Sequence, residues 1–361
     1  MMKTFKFDEI AYNSTQKVKP TEADKEHYIG LEHIDGECLY ISRWGADVAP
    51  IGEKLVMRKG DVLFGKRRAY QRKVAIAPID GIFSAHGLVL RPKEDVVDKD
   101  YFPFFMSSNQ FLDRAIQISV GGLSPTINWK DLARQEFTLP SLSEQKVLAD
   151  KLWAAYRVKE SYKKLLAATD DMLKAKFQEM FIGQGVVALS VACDIVMGTS
   201  PDSQYYNTNC EGLPFYQGKT EFTDMYIGGA EVWCTKPVRV AEKDEILMSV
   251  RAPVGAINIA AEKCCIGRGL CSLKPKDNVT KLLFVFYALK LQEEEISRLG
   301  TGSTFKAINK DQVYNKITLP LPPLPLQQQF VEIATQAEAT KESLRMSIKN
   351  IDQVIKSLIN Q

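Results

Sequence analysis

Between Gly65 and Lys73 the chain reads Gly-Lys-Arg-Arg-Ala-Tyr-Gln-Arg-Lys, which places five cations within eight residues. Lys66, Arg67, Arg68 and Arg72, with Lys73, can neutralise backbone phosphates. The Arg forks and the amide of Gln71 match the donor and acceptor patterns that guanine and adenine present in the major groove, and Tyr70 adds an aromatic face. A solvated basic turn has the same composition, so what surrounds the run decides between the two readings.

The second half of the chain offers a sparser set. The segment aligned with the basic run, Ser249-Val250-Arg251-Ala252-Pro253-Val254-Gly255, keeps one cation, Arg251. Three further candidates accompany it: Lys219 in Gln217-Gly218-Lys219-Thr220, Arg268 in Ile266-Gly267-Arg268-Gly269, and Ser303 with Lys306 in Thr301-Gly302-Ser303-Thr304-Phe305-Lys306. Glycines let a backbone approach a phosphate closely, and Ser, Thr and Lys supply donors. If both halves bind a polyanion, they do so with different side chains.

Catalytic constellations are scarce. There is no His-Glu-x-x-His, no Gly-x-Ser-x-Gly and no cysteine pair at metal-ligand spacing. Gly212 to Thr220 imitates a phosphate-binding loop, but five residues separate its glycines where that motif needs four. Glu144-Gln145-Lys146 has a nuclease-like carboxylate-x-Lys form, yet it falls in a first helical turn, where Glu favours the positive helix end. His27, His33 and His86 lack obvious partners and are expected to be structural. No Asn-Pro-Pro-aromatic segment and no glycine-rich adenosylmethionine loop is present. Together these point to recognition without chemistry of its own, and to no bound cofactor or metal.

The elements that must position these residues come in two copies. Phe137-Thr138-Leu139-Pro140 returns about 182 residues later as Ile317-Thr318-Leu319-Pro320, and both run into a long helical pattern. Upstream, Leu90-Arg91-Pro92-Lys93 answers Leu273-Lys274-Pro275-Lys276, and Gly121-Gly122 through Ile127-Asn128 answers Gly300 through Asn309. A repeat of this length is a domain with a helical tail, and two copies in one chain behave as a covalent dimer with a pseudo-two-fold axis. Short apolar runs such as Lys73 to Ala77, Gly87 to Leu90, Ala256 to Ala260 and Leu270 to Leu273 read as strands. Helical segments are expected at about Tyr101 to Gln117 and Val279 to Leu299. Each module is therefore α+β.

Ser141-Leu142-Ser143-Glu144 carries capping chemistry, and from it Leu148, Leu152, Ala155, Lys159, Tyr162, Leu166, Thr169, Leu173, Lys176 and Met180 step in fours and threes. Phe330, Ala334, Ala337, Lys341, Leu344, Ile348, Ile351, Ile355 and Leu358 do the same. The two helices are expected to pair as an antiparallel coiled coil. Each spans ~35 residues, or ~50 Å, the length of ~15 base pairs of duplex. The segmentation that follows is 1–140 and 183–324 for the globular modules, with 141–182 and 325–361 for the helices.

With 361 residues, 45% apolar and 25% charged, the chain can bury a real core, and a net charge of +3 leaves the nucleic-acid argument to local distribution. Seven cysteines without a secretory signal read as reduced, buried thiols of a cytoplasmic protein. The longest apolar run, Leu282 to Leu289, is too short for a membrane span.

The whole chain resembles the specificity subunits of type I restriction-modification systems. The resemblance is carried by Met197-Gly198-Thr199-Ser200-Pro201-Asp202, Pro214 to Lys219, Ile246 to Gly255, Cys265 to Leu270, Thr301 to Ile308 and the run Leu321 to Gln328. The first half matches more loosely, through Tyr28 to Glu32 and Leu139 to Gln145, and lacks the Gly-Thr-Ser-Pro stretch. The resemblance implies two target-recognition domains, each reading one half of a split, asymmetric site in double-stranded DNA, and paired helices that set the gap and dock two modification subunits. Those partners bind S-adenosylmethionine and methylate adenine. Restriction subunits add ATP-driven translocation and cleavage. The other readings are a DNA-recognition subunit of a different defence or modification complex, and a protein scaffold that binds no DNA.

Overall fold

The computed structural model describes residues 2–300 and 306–360. They form two compact units, Met1–Lys163 with Arg345–Gln361, and Lys164–Leu344.

In the first unit, alternating apolar residues build a four-stranded antiparallel sheet in the order Ala11–Ser14, Leu88–Pro92, Val62–Phe64, Val74–Ile76. Val62 and Phe64 face one core, and Leu63 faces another, as the two-residue period of a strand requires. A second sheet runs Lys17–Val18, Lys54–Met57, Gly81–Phe83, Tyr28–Ile29, and its last pair is parallel. Lys3–Lys6 pairs with Glu136–Leu139. The main core is aromatic: Phe111 lies 5.2 Å from Phe7, 5.3 Å from Phe64 and 5.6 Å from Phe137, ring centre to ring centre.

The second unit repeats this plan. Its four-stranded sheet has the order Cys193–Met197, Leu270–Pro275, Ile246–Ser249, Ile257–Ile259, strand for strand the counterpart of the first. Val186–Ala188 pairs with Thr318–Pro320 as Lys3–Lys6 does with Glu136–Leu139. Its other sheet again contains one parallel pair, Leu213–Tyr216 beside Cys264–Ile266, but has five strands, through Tyr206–Asn207, Trp233–Cys234 and Val240–Ala241.

The expected helix at Tyr101 to Gln117 is two, Phe102–Ser107 and Asn109–Gln117, because extended Ser108 caps the second by accepting the Phe111 amide at 3.2 Å. Its counterpart is likewise divided, into Leu282–Lys290 and Glu293–Arg298.

The long helices run Leu142–Phe181 and Leu324–Ile359. The compact units cut each of them in two, whereas the sequence sets them apart as segments. The cause is packing onto the globular cores. Leu152 and Tyr156 join the first core, with Ile355 from the last helix, and the buried Lys159 pairs with Asp352 at 2.5 Å. Within the second unit, Leu173, Phe177 and Phe181 join Phe330, Ala334 and Ala337 in its core. There the segments run antiparallel, since Asp170 meets Lys341 at 2.6 Å while Phe177 meets Phe330 at 5.1 Å.

Each helix is fastened to its module by a buried glutamine at the same motif position. The Gln145 amide accepts from the Asp98 amide (2.8 Å) and donates to the carbonyls of Val96 and Pro140 (3.1 and 2.9 Å). Gln327 accepts from the Thr280 hydroxyl and the Lys281 amide (3.0 and 3.1 Å), and donates to the carbonyls of Val279 and Pro322 (3.1 and 2.9 Å). The Glu144-Gln145-Lys146 segment is thus an anchor beside a cap: Glu144 bonds the Ser141 amide and hydroxyl at 2.9 and 2.6 Å.

Candidate nucleic-acid interface

In the first module the basic run leaves the end of the central strand Val62–Phe64 and turns through Ala69–Gln71. Arg68 and Arg72 both take left-handed backbone conformations, with φ of 57° and 52°, so the turn is tight and buried Ala69 plugs it into the core. Arg67 and Arg68 converge on one acceptor, the Ser124 hydroxyl, with their Nε atoms at 2.7 and 3.1 Å. Backbone contacts fix the same approach. Ile127 donates to the Lys66 carbonyl at 3.0 Å and Arg68 to the Pro125 carbonyl at 2.7 Å, and Arg67 forms a bridge with Thr126.

The run does not act as one block. Tyr70 and Gln71 are exposed beside Arg68. Arg72 is turned onto the helix Asn109–Gln117, where it donates to Asn109 at 2.8 Å and pairs with Asp113 at 2.9 Å. Lys73 donates to the Leu31 carbonyl at 2.6 Å. Burial, followed by repulsion from Lys17, pulls the Lys66 ammonium below its ordinary pKa.

In the second module the structure brings three predicted cations together. Lys219, Arg251 and Arg268 line one cleft of about 190 Å³, with Gln217, Gly218, Ala252 and Gly269. All three are exposed. The turn that presents Arg268 allows no side chain at Gly269, where a Cβ would sit 2.0 Å from the Gln217 carbonyl oxygen. Ser200 ties the cleft wall together, accepting from the Gln217 side chain at 3.0 Å and from the Arg268 amide at 3.2 Å. Lys306 is exposed and precedes Ala307, which bridges to Arg251. Ser303 lies outside the described residues.

The backbone bonds of the two modules fix which loop residues correspond. Ile308 donates to the Val250 carbonyl at 2.9 Å, as Ile127 does to that of Lys66, and the Arg251–Ala307 bridge matches Arg67–Thr126. The one cation that the second module keeps is therefore the structural equivalent of Arg67. A second equivalence joins the turns Ser84–Gly87 and Gly267–Leu270, closed by backbone bonds of 3.1 and 3.0 Å. Residue for residue, Ala85 stands at Arg268 and His86 at Gly269, so the two turns offer His86 and Arg268 from adjacent positions. His86, expected to be structural, belongs to the site because its ring meets Arg67. A lone histidine carries no motif in the sequence; the strand pairings Ile29–Phe83 and Tyr216–Ile266 are what align the two turns. Ser124 and Ser200 were also missed as organisers, because a serine is informative only once its partners are known.

Among the described residues no group of three or more His, Cys, Asp or Glu side chains is placed to hold a metal ion, and no helix is long and apolar enough to cross a membrane. All seven cysteines are free. Five are buried as expected, whereas Cys38 is half-buried and Cys210 exposed.

Fold and site together define a tandem recognition protein, one frame used twice with different polar side chains at equivalent loop positions. The sequence matches the family model described as type I restriction modification DNA specificity domain over residues 6–168 and again over 190–353. The chain belongs to this family, and its role is DNA sequence recognition in a type I restriction-modification system. The "Putative type I restriction enzyme MjaX specificity subunit" of Methanocaldococcus jannaschii is 33% identical over 331 residues, 82% of this chain and 75% of that protein. One chain of a solved structure on complex assembly and conformational transition of the type I R-M system matches with TM-score 0.61 and 27% identity, over 99% of this chain and 96% of that one. The S subunit from M. genitalium, 14% identical, shares the fold with TM-score 0.59 over 99% of this chain and 95% of that one.

Proposed function

We propose that this chain is the non-catalytic specificity subunit of its complex and reads a bipartite, asymmetric site in double-stranded DNA, one half-site per module. The observation that carries this reading is the equivalence of Arg67 and Arg251 on matching loops whose other side chains differ. A common frame supports a common docking mode, and divergent loops support two different sequences. In the first module the contacts are assigned to Lys66, Arg67, Arg68, Tyr70 and Gln71, with Arg72 bracing the turn against Asp113. In the second they are assigned to Lys219, Arg251, Arg268 and Lys306, with Ser303. Arg forks suit guanine edges and Gln suits adenine, while Lys serves phosphate.

The chemistry belongs to partners. Two modification subunits would bind S-adenosylmethionine and methylate an adenine in each half-site. Restriction subunits would use ATP. This chain would work with them in the cytoplasm and bind neither cofactor.

The test is equilibrium binding of the full chain, purified with its modification partners, to duplexes in which either half-site is scrambled. Arg67→Ala is expected to weaken binding through one half-site and Arg251→Ala through the other, each by about 1–3 kcal/mol, and each to lower the salt slope by about 1. Equal weakening through both half-sites by each variant, or none by either, would overturn the assignment.

A further inference from the structure

The turn Ser84–Gly87 puts His86 against the basic loop. Its ring Nε2 lies 3.4 Å from an Arg67 terminal nitrogen, and the backbone bond from the Arg67 amide to the His86 carbonyl, 3.2 Å, holds the two residues together. A guanidinium can only donate, so this contact requires an unprotonated Nε2. The same Arg67 donates its Nε to Ser124, so two of its five N–H groups are engaged within the module and the rest stay available to DNA. In the second module the equivalent turn offers Arg268, a permanent cation, beside Arg251. Equivalent turns thus bring a His to Arg67 in one half and an Arg to Arg251 in the other, from adjacent turn positions.

We propose that His86 is a proton-gated phosphate contact of the first module, accepting from Arg67 in the free chain and taking up a solvent proton when a DNA phosphate draws Arg67 away. The inference rests on the DNA-reading assignment above. The ring is exposed, so phosphate can reach it. The largest charges acting on it are all positive: Arg67 and Lys66 from the loop, and Lys54 from the neighbouring strand. The Ser84 hydroxyl accepts the His86 amide at 3.3 Å and leaves the ring free to titrate. Burial first, then repulsion by those three cations, lowers the histidine's pKa in the free chain. A phosphate inserted among the cations reverses that field and favours imidazolium.

The sign follows from linkage. The free-state pKa lies below the ordinary value and the bound-state pKa above it, so binding takes up a proton in between and tightens as pH falls through the bound-state value. One proton sets a ceiling of about 10-fold in affinity per pH unit.

The experiment measures binding of the full chain, with its modification partners, from about pH 8 to about pH 6. The probe is a duplex carrying the site identified by mapping methylated adenines, with the second half-site scrambled. Wild type is expected to tighten by roughly 3–10-fold over this range. His86→Gln, which keeps an acceptor for Arg67, is expected to bind with the pH profile flat. His86→Arg, which makes the positive charge permanent, is expected to bind tightly at both ends. Unchanged binding to a companion duplex with only the first half-site scrambled shows that each variant is folded. A pH profile that survives in His86→Gln overturns the proposal while leaving the DNA-reading assignment standing. No specific binding by wild type at any pH overturns both.

Discussion

Gln327 offers a severe test of how the helices are fastened to the modules. Its side chain is fully buried, and its amide makes four hydrogen bonds, to the Thr280 hydroxyl, the Lys281 amide and the carbonyls of Val279 and Pro322. Gln327→Met fills nearly the same volume and removes all four bonds. A buried polar group left without a partner costs ~1–3 kcal/mol. The sum would be ~4–12 kcal/mol, but the Thr280 hydroxyl can rotate and a water can reach part of the site, so about 3–5 kcal/mol is expected. That is a large share of a typical domain stability of ~5–15 kcal/mol. Denaturant unfolding read by circular dichroism measures it, with exposed Gln328→Met as the control, expected within ~0.5 kcal/mol of wild type. A Gln327→Met loss below ~1 kcal/mol would refute the anchoring argument.

Three further outcomes are expected. Gln145→Met, which breaks three bonds in the first module, should cost about 2–4 kcal/mol in the same assay. Burial pushes the thiols of Cys193, Cys264 and Cys271 up to about 12, so iodoacetamide near pH 8 should alkylate exposed Cys210 while these three stay unmodified by mass spectrometry until the protein unfolds. Hydrogen bonds from the Ser141 hydroxyl and amide lower the Glu144 carboxyl to about 2. A depressed carboxylate contributes stability above its unfolded pKa and loses it as pH falls towards the folded value, so Ser141→Ala should raise the Glu144 titration point, followed by carboxyl NMR, and advance the acid limb of unfolding.

Much of this molecule was legible because its period is written twice. Of the last helix's stripe, Phe330, Ala334, Ala337, Lys341, Leu344 and Ile355 are buried as the spacing predicts, and Ile348, Ile351 and Leu358 are half-buried. The first helix was read less well. Leu148, Ala155, Tyr162, Leu166, Lys176 and Met180 are only half-buried, while Ala149, Tyr156, Phe177 and Phe181 are buried. A seam read for a partner helix omits the face that meets the globular core, and the Tyr156 hydroxyl, accepting the Leu39 amide at 2.7 Å, shows that such a face exists. At the site, composition found the cations but not their division of labour. That Arg72 is paired with Asp113, 41 residues away, is a tertiary fact. That the turn carrying His86 matches the turn carrying Arg268, one position apart, emerges only when strand registers are compared.

The central claim is that one frame carries two readers. Its most direct test is a genome-wide map of methylated adenines in cells carrying this chain with Arg268→Ala, compared with wild type. One half of the bipartite motif is expected to become degenerate while the other half and the spacer length are unchanged. Loss of specificity in both halves together, or a motif unchanged in either, would contradict it.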